Sequence, residues 1–60
     1  MKEYKNESYA ADICRNRNRA CKAAKNFRDI AVVVDGPDGG YCVVDIRFAQ
    51  ELDAPYKIYL

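Results

Sequence analysis

The chain has 60 residues, half of them hydrophobic and 32% charged, with a net charge of only +1. That balance fits one folded domain rather than a disordered tail, and at this length only about 60% of the unfolded surface can be buried. The near-neutral charge argues against a strongly basic nucleic-acid module, and the longest apolar run, IAVVV at 30–34, falls far short of the roughly 20 residues of a membrane span.

The N-terminal stretch MKEYKNESYAAD has no apolar core of signal-peptide type, so a cytoplasmic setting is expected. Residues 8 to about 27 predict a helix. Ser8 can cap it, because a hydroxyl oxygen there accepts from the free amides of the first turn. Asp12 near its start and Lys22, Lys25 and Arg28 near its end suit the helix dipole. Ala10, Ile13, Cys14, Arg17, Cys21, Ala24 and Phe27 recur at steps of three and four and share a face. Residues 29–35, DIAVVVD, are short and β-branched and predict a strand. GPDGG at 36–40 predicts a hairpin turn, since proline presets one position and glycine permits positive φ. Residues 41–48 alternate as a second strand: Cys42, Val44, Ile46 and Phe48 point one way, Tyr41, Val43, Asp45 and Arg47 the other. Residues 49–55 read as a connector with at most one helical turn, and 56–60 as a third strand. The whole predicts a single α+β domain over 1–60: one N-terminal helix packed on a three-stranded antiparallel sheet, in the order α-β-β-β.

The stretch CRNRNRAC, residues 14–21, is the one segment that resembles a chemical signature. Cys14 and Cys21 stand about 10.5 Å apart along a helix, too far for a disulfide. With no histidine and three cysteines in an odd count, the usual tetrahedral Cys/His set is missing, and neither a metal nor any other cofactor is expected. The cysteines read as free thiols in a reducing compartment: Cys14 and Cys21 on the buried helix face, Cys42 opposite them. Arg15, Arg19 and Lys22 form an outward basic row. Arg17 turns into the apolar stripe, where it must either snorkel along the sheet to water or pair with an acid, with Asp29, Asp45 and Asp53 as candidates.

Charge is uneven along the chain. Residues 8–28 hold six basic side chains against Asp12 alone, and residues 29–60 hold six acids against Arg47 and Lys57. Such a dipole suits surface recognition. Five of the seven aromatics are tyrosines, a residue favoured at interfaces. One helix covers only one sheet face, which leaves Ala31, Val33, Tyr41 and Val43 as an apolar surface for a partner. With no histidine to activate a nucleophile, no enzyme is expected. The reading is a small protein-binding module of the kind phages and mobile elements use to inhibit a host complex, anti-CRISPR-like in character, with a homodimer as a further option. Its partner-binding residues are Arg15, Arg19, Lys22, Tyr41, Val43 and Tyr59. The alternative is a nucleic-acid-binding regulator using Arg15, Arg19 and Lys22; no membrane partner is expected.

Overall fold

The structure is a computed structural model and describes residues 2–21 and 29–60. The elements run α1 (Glu7–Ala20), β1 (Ala31–Asp35), β2 (Tyr41–Asp45), α2 (Ile46–Glu51) and β3 (Tyr56–Ile58). This is an α+β fold: an N-terminal helix, an open antiparallel sheet of order β2-β1-β3, and a short second helix.

Asn6 rather than Ser8 caps α1. Its Oδ1 accepts from the Ser8 N–H at 2.8 Å and the Tyr9 N–H at 3.3 Å, and Glu7 in the first turn adds to the cap. The helix stops earlier than its pattern suggests. Cys21 is extended, with φ −88° and ψ 118°, while its N–H still bonds the Arg17 carbonyl. Lys22, Ala24, Lys25, Asn26, Phe27 and Arg28 lie outside the described residues.

The β1–β2 hairpin pairs Val32 with Val44, Val33 with Val43 and Val34 with Cys42. GPDGG closes it as expected. The Gly39 N–H bonds Gly36 O at 3.3 Å, the Gly36 N–H bonds Gly40 O at 2.8 Å, and Gly39 takes φ 83°, the left-handed region. Tyr4 extends the sheet beyond β2 by a single bridge to Tyr41, with reciprocal bonds of 2.7 and 2.6 Å. Gly40 makes room for this approach: a Cβ there would sit 2.6 Å from Tyr4 O and 2.5 Å from Glu3 Oε1. Glu3 instead accepts the Gly40 N–H at 2.6 Å.

The face assignment is inverted relative to the sequence expectation. α1 packs on Ala31 and Val33 through Ala10 and Cys14, and Tyr41, Val43, Tyr4 and Tyr59 close around that cluster. Tyr41 and Val43 are therefore half-buried core margin on the helix side. The opposite face, Ile30, Val32, Val34, Cys42 and Val44, is covered by Ile46 and Ala49 of α2. Here a second expectation is corrected: the second strand ends at Asp45, not at residue 48, and the connector's helical turn is a six-residue helix. Arg47, Ala49, Gln50 and Glu51 favour helix over strand, and Ile46 and Ala49, three apart, face the sheet together. The helix ends in a Schellman arrangement. Asp53 takes φ 53°, its N–H bonds Gln50 O, and the Ala54 N–H bonds Ala49 O, both at 3.1 Å.

Candidate protein-interaction surface

Within α1 the contact stripe runs Ala10–Cys14–Asn18, four residues apart, and not through Arg17 and Cys21. Cys14 is buried and its thiol donates to Ala31 O at 3.2 Å, while Cys21 is exposed. The three thiols are free, but Cys14 and Cys42 sit on opposite sides of the sheet. Burial pushes both thiols above their ordinary pKa, which leaves them protonated at neutral pH. Among the described residues, no group of three or more cysteine, aspartate and glutamate side chains is placed to hold a metal.

Asn18 does what the pattern assigned to no residue. Its Oδ1 accepts the Ala31 N–H at 2.6 Å, and its Nδ2 donates to Ala31 O at 3.0 Å and Tyr59 O at 2.9 Å. The side-chain amide thus fills the gap beyond the last β1–β3 pair, where the backbone ladder stops. One available signal was an amide placed four residues after Cys14, in an otherwise apolar stripe.

Of the expected basic row, Arg15 is not free of partners. Arg15 is half-buried, 3.3 Å from Asp12, and its guanidinium stacks over the Tyr59 ring at 5.2 Å. Arg19 is exposed in the last turn of α1. Lys22 lies outside the described residues. Arg17 is not in the core: it pairs with Asp45 at 2.9 Å, one of the three acids named for it, and both side chains are more than half exposed. Of the six proposed partner-binding residues, Arg15 and Tyr59 meet, and Tyr41, Val43 and Tyr59 border one cluster under α1.

Tyr59 and Lys57 converge on Glu7. Lys57 Nζ lies 2.6 Å from Glu7 Oε1, and the Tyr59 hydroxyl donates to the same oxygen at 3.2 Å. The ammonium's hydrogen bond and charge hold the Glu7 carboxyl below its usual pKa, and the carboxylate raises Lys57 in return.

Apart from Tyr9 on α1, the large exposed apolar side chains among the described residues lie elsewhere. Tyr56 and Ile58 pair with Val34 and Val32, so their side chains share the α2 face. α2 lies over β1 and β2 and leaves that strip of β3 open. Tyr56 is 36% exposed and Ile58 39%; on α2, Phe48 is 39% and Leu52 59% exposed; Leu60, continuing the alternation, is 61% exposed. The backbone of β3 adds to this surface. Ile46 N–H bonds Ile30 O, so even-numbered residues of β1 face β2 and odd-numbered ones face β3. Lys57, opposite Val33, and Tyr59, bonded to Asn18, turn their polar groups inward. Those of Tyr56 and Ile58 then point outward, and among the described residues nothing pairs with that edge.

Compared with known proteins, the chain matches no family model, no curated protein and no solved structure.

Proposed function

We propose that this chain is a small, non-enzymatic protein-binding module acting in the cytoplasm. The observation that carries the reading is the set of exposed apolar side chains presented by the α2 and β3 segments: Phe48, Leu52, Tyr56, Ile58 and Leu60, each more than a third exposed in so small a fold. Aromatic and aliphatic side chains on rigid elements are what a protein partner covers with gain, because they shed water without losing hydrogen bonds. The surface is thus the opposite face from the one the sequence pattern suggested. A phage-type inhibitor that blocks a host complex, anti-CRISPR-like in action, is the narrower form of the same reading.

A nucleic-acid role draws less support, because Arg15 and Arg17 are already paired with Asp12 and Asp45. The test is capture of a protein partner by the wild-type chain and by Leu52→Glu, with circular dichroism as the control for folding. The reading expects native spectra for both and loss of capture for the variant. Capture indifferent to Leu52→Glu, or salt-sensitive binding to DNA or RNA lost in an Arg15/Arg19/Lys22 alanine variant, defeats it.

A further inference from the structure

We infer that the outer edge of β3 is a dimerisation strand, and that its partner is β3 of a second copy, paired antiparallel about a two-fold axis at Ile58. This rests on the protein-binding reading and names the partner of its edge. Three observations converge. The outward N–H and C=O groups of Tyr56 and Ile58 are a template for one more strand. The side chains beside them are apolar on one face and charge-balanced on the other. And the order of residues is self-complementary, as a two-fold interface requires.

The register follows from charge. Centring the pair on Lys57 would set two lysines directly opposite each other, which is unfavourable. Centring on Ile58 sets Ile58 against its own copy, Tyr56 against Leu60, and Lys57 against Tyr59. All three exposed apolar residues of the C-terminal segment then meet apolar neighbours. On the other face each Lys57, held by its own Glu7 at 2.6 Å, stands across from a Tyr59 whose hydroxyl contacts the other Glu7. Two acids and two bases alternate around the axis. A lone lysine on an edge strand normally blocks such pairing; here Glu7 neutralises it. The product is a six-stranded sheet, two copies of β2-β1-β3 joined edge to edge, with the α1 helices on one face and the α2 helices on the other. With so short a strand the interface is small, and the dimer is concentration-dependent.

Proline tests the edge selectively. Ile58→Pro deletes an outward N–H and spares the inward bonds of Lys57 and Tyr59, so the ladder to β1 survives. In sedimentation equilibrium over a concentration series the purified wild-type chain should pass from one to two chain masses, and Ile58→Pro should stay at one with a native spectrum. Amide exchange of the wild type supplies a variant-free reading and decides the matter if Ile58→Pro does not fold. The Ile58 amide should slow as concentration rises, while that of Lys57, already bonded to β1, should not respond. A wild type monomeric throughout, a dimer that persists in Ile58→Pro, or an Ile58 amide indifferent to concentration overturns the inference. A monomer whose Ile58 amide slows only when a different protein is added also overturns it, and leaves the protein-binding reading standing.

Discussion

Asn18 joins three parts of the chain through one amide. Removing it leaves the Ala31 N–H and the Ala31 and Tyr59 carbonyls without those partners in a partly buried place. Asn18→Ala should therefore lower stability by about 1–3 kcal/mol. A 60-residue chain has a total of roughly 3–9 kcal/mol to lose from, and each kcal/mol moves the thermal midpoint by roughly 4–8 °C. A melt within about 2 °C of wild type would mean that water replaces the amide at little cost. The thiols give a second check at this scale. Cys21 is exposed while Cys14 and Cys42 are buried. Titration with a thiol reagent under native conditions should show one fast equivalent, with the other two appearing only on unfolding. Three fast equivalents would place Cys14 and Cys42 at the surface.

At the scale of elements, α2 is the feature on which strand alternation and helix periodicity compete. Val44, Ile46 and Phe48 fit a strand, while Ile46 and Ala49 fit a helix face. The helix wins because four of its six residues, Arg47, Ala49, Gln50 and Glu51, are good helix formers and because Asp53 ends it in a left-handed position with two closing bonds. An aspartate at φ 53° carries strain that glycine lacks. Asp53→Gly should stabilise the fold by about 0.5–1 kcal/mol, read as a higher urea midpoint with unchanged slope. A lower midpoint would show that unfolded-state entropy outweighs the relief. The hairpin turn poses no such contest: Pro37 and Gly39 stand where the turn needs them.

For the molecule as a whole, the Glu7–Lys57 pair ties the start of α1 to the last strand, 50 residues away. Glu7 is shifted down, so its contribution is present above the ordinary carboxylate value of about 4.3 and is lost as pH falls through its lower native value. Lys57 is shifted up, so its contribution is present below about 10.4 and is lost as pH rises through its higher native value. The thermal midpoint of wild type should exceed that of Glu7→Gln by a small margin between about pH 5 and 10, narrowing outside that window. Both partners are exposed, so added salt should shrink the margin as well. A margin independent of both pH and salt would assign the effect of Glu7 to packing or to its tyrosine contact.

Much of the fold is legible in the chain before any tertiary contact is known. The α+β class, the order of helix and strands, the GPDGG turn and the free thiols follow from local pattern, because hydrogen bonding and backbone sterics act over a few residues. Arg17 does pair with one of the three acids named for it, but the premise of a buried charge fails, because both side chains are more than half exposed. What local pattern could not decide is which face α1 covers. β1 is apolar on both sides, Ala31 and Val33 on one and Val32 and Val34 on the other, so its alternation reads equally well either way. Tertiary packing broke that symmetry. Ala10 and Cys14 are small enough to let α1 approach the smaller Ala31 side, and Asn18 reaches the Ala31 backbone from there. That choice turned Tyr41 and Val43 inward and left the opposite face to α2; the last strand lies beside β1 with its outer edge open. The surface proposed for binding thus depends on pairings between residues far apart in sequence, which no local window contains.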